Sequence, residues 1–182
     1  GNGNDGTVNG ATWGATTGYN STAGYTFNAA QNISIPQINF SSAQDWSVHF
    51  WANKTSDNTK GIVIGDESDS DNYLYIGSNE VQIENASGAL GSFSYNPDTS
   101  WHACTFCANG TQLSLYVDGS FSQSIAIDTA FNIDSIGDGF SGSTYAFGGI
   151  VDEVQIFDRQ LTATQIAVMF NIGIASNPYI AS

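Results

Sequence analysis

Trp101–Gly119, WHACTFCANGTQLSLYVDG, constrains the fold more than any other stretch of the chain. Trp101–Ala108 is a β-prone run, and Leu113, Leu115 and Val117 fall on one face with Ser114 and Tyr116 on the other, the period of two of a strand. Asn109-Gly110 between the two runs predicts a tight hairpin turn, and Asp118-Gly119 predicts a second turn that ends the second strand. Such a meander is not stable alone in water, so further strands must cover it.

Candidates for those strands run the length of the chain. Thr7–Trp13, Tyr19–Asn28, Gln31–Pro36, Trp46–Asn53, Gly61–Gly65, Tyr73–Gly77 and the run around Val81 and Ile83 precede the hairpin, together with Phe93–Tyr95. Phe121–Ile127, Phe131–Gly137 and Ile150–Phe157 follow it, and Pro178–Ile180 reads as an edge strand. Asp66–Asn72, DESDSDN, holds four carboxylates and reads as a solvated acidic loop. Thr162 with Gln165 forms a capping box, and Leu161, Ile166, Met169 and Phe170 supply an apolar stripe. These predict one helix of about two turns, placed at an end of the fold. With 20 Gly, 3 Pro and abundant Ser, Thr and Asn, the chain suits short strands and polar turns. The fold class is all-β, one domain over residues 1–182, built as a two-sheet antiparallel sandwich with one short C-terminal helix.

Seventeen acidic residues stand against 3 basic ones, a net charge of −14. Lys54, Lys60 and Arg159 cannot build a cationic surface, so no nucleic acid is expected as partner and an anionic bilayer repels the domain. No apolar run is long enough for membrane insertion. Neutral glycans, protein surfaces and divalent cations remain as partners, and the acidity also suits solubility in a salty extracellular medium. The chain begins with Gly1 rather than Met and reads as a piece of a larger chain or assembly. Cys104 and Cys107, three apart in a strand, face opposite ways about 10 Å apart, too far for a disulfide, and pack as small hydrophobes.

Several segments resemble the laminin-G-like, concanavalin-A-like lectin and glucanase jelly rolls of bacterial, viral and secreted multidomain proteins. They are the opening GNGNDGTVNGATW, Tyr25–Asn28 with Ile33–Pro36, Trp46–Asn53, the central hairpin, and Phe147–Phe157 followed by Arg159, Leu161 and Thr162–Phe170. The resemblance implies a jelly roll and leaves the ligand nearly free. Members bind glycans or proteins, and many carry a structural or ligand-bridging calcium. Asn28 stands where such modules often have Asp, and Cys104, Phe106 and Cys107 replace commoner aliphatic residues.

A non-catalytic recognition module, glycan-binding and located extracellularly, on a cell surface or on a virion, is the expected function. A structural or protein-binding module, such as a capsid decoration, tail fibre or adhesin domain, is the alternative. Trp51, Tyr73, Tyr75 and Tyr95 are the candidate sugar platforms, with Asn72, Glu80 and Gln82 reading hydroxyls. Leu74 and Ile76 in the core would turn both tyrosines outward. Glu80-x-Gln82-x-Glu84 imitates a glycosidase strand that lacks its middle carboxylate, and its ends lie about 13 Å apart along the backbone, so no enzyme is expected. For calcium, the ligands expected are Asp152, pointing inward, with Asn28 and oxygens of Asn4 or Asp5. The competing role for Asp152 is acceptance of backbone N–H groups or pairing with Arg159.

Overall fold

The computed structural model describes residues 5–28, 30–55, 61–77, 80–138 and 145–175. In chain order the strands are β1 (Thr7–Asn9), β2 (Thr12–Gly14), β3 (Gly24–Phe27), β4 (Asn32–Phe40) and β5 (Asp45–Lys54). β6 (Ile62–Asp66), β7 (Asp69–Ile76), β8 (Val81–Glu84) and β9 (Leu90–Phe93) follow. The central hairpin is β10 (Trp101–Asn109) and β11 (Gln112–Val117), succeeded by β12 (Ser120–Ala126), β13 (Phe131–Ile136), β14 (Gly149–Phe157) and helix α1 (Ala163–Ala175). Among the described residues these strands make two seven-stranded sheets, sheet A ordered β1-β4-β13-β6-β7-β8-β9 and sheet B ordered β12-β11-β10-β5-β14-β3-β2. Pairing within both is antiparallel, the jelly-roll sandwich expected. Asn4 and the Pro178–Ile180 strand lie outside the described residues.

Alternation decides what fills the space between the sheets. Trp46, Val48, Phe50 and Ala52 of β5, Cys104 and Phe106 of β10, and Leu113 and Leu115 of β11 pack from sheet B. Leu74 and Ile76 of β7, Val81 and Ile83 of β8, and Phe131 and Ile133 of β13 meet them from sheet A. Both cysteines are free, with Cys104 in this core and Cys107 on the other face of sheet B.

The two hairpin signals behave differently. Val117 pairs with Ser120 across Asp118 and Gly119, whose φ values of 50° and 76° are the left-handed pair that a two-residue turn needs. Asn109-Gly110 is not such a turn. Ala108 pairs with Leu113, so the connection is longer, and only Gly110 has positive φ. Asn109 instead uses its Oδ1 to accept the amide of Gln112 at 3.0 Å. Tyr19, read as strand, opens a short 3-10 turn, Tyr19–Ser21, with Asn20 and Ser21 left-handed. The acidic stretch is a tight turn rather than a solvated loop. Asp66 is buried and accepts from Ser68 N (2.9 Å), Ser68 Oγ (2.6 Å) and Gln37 Nε2 (3.1 Å).

Helix α1 runs for 13 residues, longer than the apolar stripe suggested. The capping box forms, with Thr162 N donating to Gln165 Oε1 (2.9 Å) and Gln165 N to Thr162 Oγ1 (3.3 Å). The helix does not close an end of the sandwich. It lies on the outer face of sheet B, where Leu161 and Ile166 pack on Cys107, and Phe170 stacks on Trp51. His49 is buried on the same face of β5, with Nδ1 2.8 Å from Thr105 Oγ1, and burial lowers its pKa from 6.5 to about 4. A depressed histidine stabilises the fold above its unfolded pKa, and that contribution fades as pH falls from 6.5 toward 4. The His49 ring is therefore expected to keep neutral-imidazole NMR shifts from about pH 8 down to about pH 5, well above its folded pKa. Midpoint titration near 6.5 would contradict this burial.

Candidate functional site

With α1 and the 3-10 turn over sheet B, the outer face of sheet A is the broad face that no described helix covers. Its residues are the ones that alternation turns away from the core. Tyr73 pairs with Glu84 and Tyr75 with Gln82 across β7 and β8, while Gln82 pairs with Ser92 of β9. Gln82 Nε2 donates to Ser92 Oγ at 3.2 Å. The two tyrosines meet edge to face at 6.5 Å, and the Tyr73 hydroxyl donates to Glu84. Burial, reinforced by Glu84 and Asp71, raises the Tyr73 phenol well above its ordinary pKa; burial and Glu80 raise that of Tyr75.

The polar face continues on the other side of β6. Gly65 stands opposite Tyr73 and, across β13, opposite Ser135, which in turn faces Ser34 of β4. A bulge between Ile133 and Ser135 makes this possible by turning Ser135 outward and Ile136 onto the core. Gly65, buried and without a side chain, lies between Tyr73 and Ser135. The Ser135 hydroxyl is buried and has no hydrogen-bond partner among the described residues. Beyond it, Asn32 Nδ2 and Ser34 Oγ (2.9 Å) donate to Glu67 Oε1, and Glu67 N donates to Asp134 Oδ1 (2.7 Å). Burial raises the pKa of Asp134, with Asp66 and Glu67 adding to the effect and the Glu67 amide opposing it. Asn9 Nδ2 extends the network to β1 by donating to Asn32 Oδ1 and Ser34 Oγ, both at 2.8 Å. The face thus presents amides, hydroxyls, carboxylates and a tyrosine pair, with no Lys or Arg side chain in its network among the described residues.

Of the residues singled out by sequence, Tyr73, Tyr75, Gln82 and Glu80 come together here. Tyr75 is only 4% exposed, which leaves Tyr73 as the more accessible ring. Trp51 is elsewhere, 2% exposed on sheet B with Tyr19 stacked on it at 3.6 Å and Phe170 at 5.5 Å, so it cannot serve as a sugar platform. Asn72 is fully buried and acts as a clip, its Nδ2 donating to Asn132 O (2.9 Å) and its Oδ1 accepting from Asn132 N (3.3 Å). It holds β7 to β13 where the shorter β6 no longer intervenes. Tyr95 packs on the core edge beside His102, ring centroids 5.9 Å apart. Glu84, Glu67, Asp134 and Ser135 were not anticipated as site residues, and only Glu84 could have been, from its parity with Glu80 and Gln82.

The chain carries a sequence match to the family model for the concanavalin A-like lectin/glucanases superfamily over residues 27–167. The chain belongs to this superfamily. Its fold is shared at 18% identity and a TM-score of 0.73 with domain 4 of the extracellular arabinanase AbnA of Geobacillus stearothermophilus, solved with arabinotriose, over 93% of this chain and 89% of that one. The binding domain of Paraclostridial Mosquitocidal Protein 1 matches at 18% identity and a TM-score of 0.67, over 94% of this chain and 48% of that one. The binding domain of botulinum neurotoxin DC, solved with rat synaptotagmin II, matches at 14% identity and a TM-score of 0.67, over 93% and 47%. The chain therefore spans nearly all of the arabinanase domain and about half of each toxin fragment. No curated protein matches it by sequence.

Glucanase chemistry in this superfamily would need paired carboxylates about 5–5.5 Å apart, or about 6.5–9.5 Å for inversion. Glu80 and Glu84 straddle β8 at about 13 Å along the strand, and Glu84 is held by Tyr73. A calcium centred on Asp152 fits no better. Glu153, with φ of 51°, forms a bulge that breaks the parity of β14, so Val151 faces the core and Asp152 the opposite side. There Asp152 Oδ2 accepts from Tyr19 N (2.9 Å) and Thr22 Oγ1 (2.7 Å), and Oδ1 from Glu153 N (2.8 Å). These neighbours are donors, the wrong polarity for a cation shell. Asn28 lies three positions past Tyr25, the partner of Val151, about 10 Å along β3. Asp5 precedes β1 at the edge of the other sheet. Of the expected ligands that are described, Asp152, Asn28 and Asp5 lie on separate elements, and Asp152 accepts from the Tyr19 and Glu153 amides.

Proposed function

We propose that this domain is a non-catalytic recognition module that binds a neutral oligosaccharide across the outer face of sheet A, as part of a larger extracellular or surface protein. The observation that carries the reading is the row Ser34–Ser135–Gly65–Tyr73–Glu84, an unbroken line over five strands that pairs an aromatic ring with hydroxyl and carboxylate groups. Tyr73 supplies a rigid amphipathic surface for the apolar face of a sugar ring. Glu84, Gln82, Glu67 and Asp134 accept from hydroxyls. Acceptor-rich chemistry of this kind repels uronates and sialic acids, since no cationic side chain among the described residues of this face balances them. Arabinotriose in the arabinanase domain of the same fold makes arabino-oligosaccharides the first probes to try.

Isothermal titration with arabinotriose, xylo-, gluco- and manno-oligosaccharides is expected to find at least one neutral ligand, with oligogalacturonate binding least. Tyr73→Ala is expected to weaken that ligand about tenfold or more, the loss seen for an aromatic anchor. Trp13→Ala, an exposed ring on the far edge of sheet B, serves as control and leaves affinity unchanged. Binding that depends on Trp13 and ignores Tyr73 would move the site. Silence across the panel would favour a protein ligand.

A further inference from the structure

The segment Ser94–Ser100 carries the chain from β9 of sheet A to β10 of sheet B. Side chains anchor it, with Ser94 N donating to Gln123 Oε1 (2.7 Å), Lys54 Nζ to Pro97 O (3.3 Å) and Asn53 Nδ2 to Thr99 O (2.8 Å). Within it Ser100 N donates to Asp98 Oδ1 (2.6 Å), and a further tether is His102 at the start of β10. Its Nδ1 is 2.9 Å from Asp118 Oδ2 and its Nε2 is 3.1 Å from Asp98 Oδ1.

We propose that His102, clamped between Asp98 and Asp118, is a pH-operated latch on the segment that joins the two sheets. An ionised carboxylate only accepts, so both contacts are satisfied together only by imidazolium, which has an N–H at each ring nitrogen. Neutral imidazole has one N–H and must give up one contact. Asp118 keeps it. Its position is fixed by the left-handed turn and by Ala103 N donating to its Oδ1 at 3.0 Å, and it is 39% exposed against 68% for Asp98. Deprotonation therefore leaves the proton on Nδ1, and the Nε2 lone pair then faces Asp98 and repels it. The groups around the ring are Asp98 and Tyr95 from the segment itself and Asp118 from the β11–β12 turn. Cys104 lies beside them on β10, and Lys54 holds Pro97 from β5. The Lys54 contact to Pro97 O uses neither ring nitrogen of His102, so it persists while that of Asp98 is lost. The contact to Asp118, then that to Asp98, raise the pKa of His102 against the opposing effect of burial. A raised histidine stabilises the closed segment below its unfolded pKa of 6.5, and the effect is lost as pH rises through the folded value.

The test is NMR of the folded 182-residue chain. His102 is expected to titrate with a midpoint above 6.5 and to emerge as the Nδ1–H tautomer, the reverse of free histidine. Amide protection at Thr99 and Ser100, corrected for intrinsic exchange, should fall by about threefold through that midpoint, what one exposed charged contact is worth. In Asp98→Asn, an exposed change that the fold tolerates, the midpoint should drop and this step should vanish. A midpoint at or below 6.5, an Nε2–H neutral tautomer, or the same protection profile in wild type and Asp98→Asn would each overturn the latch.

Discussion

Trp46→Ala is expected to lower unfolding free energy by about 5 kcal/mol, a large part of the whole stability of a domain this size. Trp46 is completely buried on β5 of sheet B, yet both of its ring neighbours belong to sheet A. Phe40 stacks at 5.6 Å and Phe131 at 5.3 Å, each within about 20° of parallel. Its indole N–H donates to Thr129 O at 2.7 Å. Truncation removes the tie between sheets and leaves a cavity, together costing about 3–5 kcal/mol. It also leaves the buried Thr129 carbonyl without that donor, a further 1–3 kcal/mol or so. Trp46→Phe separates the two effects, since it keeps most of the ring and loses only the N–H. Urea denaturation should place Trp46→Phe between wild type and Trp46→Ala. An alanine variant within about 1 kcal/mol of wild type, the range of an ordinary surface change, would show that the sheets are held together elsewhere.

What the sequence disclosed, and what it hid, follows from the range of the interactions involved. Alternation is local, so Leu113, Leu115 and Val117 on one face, and Leu74 and Ile76 against Tyr73 and Tyr75, could be read directly. The capping box at Thr162 and Gln165 was equally local. Bulges are not. One left-handed residue, Glu153, reverses the parity of β14 and turns Asp152 away from the core. The irregularity between Ile133 and Ser135 does the same on β13 and places Ser135 beside Gly65, a neighbour 70 residues earlier in the chain. Nothing in the run FNIDSI marks it, because the extra residues, Ile35–Gln37 opposite Asp134, lie on β4. Trp51 was misleading for a related reason. Its face of β5 is outward by alternation, and only the distant Tyr19 and Phe170 make that face an interior. Tyr73 escaped such burial because no described helix crosses sheet A, and that too is a property of topology rather than of the residues around it.

Asp152→Ala should be the second most damaging change, about 3 kcal/mol, and its signature is optical as well as thermodynamic. The carboxylate, 8% exposed, gathers three donors, Tyr19 N, Thr22 Oγ1 and Glu153 N. Alanine leaves two backbone amides without their acceptor and frees the 3-10 turn that carries Tyr19. Tyr19 stacks on Trp51 at 3.6 Å and meets Trp101 edge-on at 5.9 Å, so loosening it wets two tryptophans and should shift fluorescence to the red before global unfolding. Asp152→Asn should rescue little, because one of its two polar atoms becomes a donor facing donors. Thr22→Val, which removes the hydroxyl's contacts to Asp152 Oδ2 and Tyr19 O and leaves both amides served, should cost only about 1 kcal/mol. Since donors surround the carboxylate, millimolar calcium and excess chelator should give the same melting temperature. A calcium-dependent rise in wild type that disappears in Asp152→Asn would assign the carboxylate to a metal after all. A wild-type-like Asp152→Asn would show that the turn is held without it.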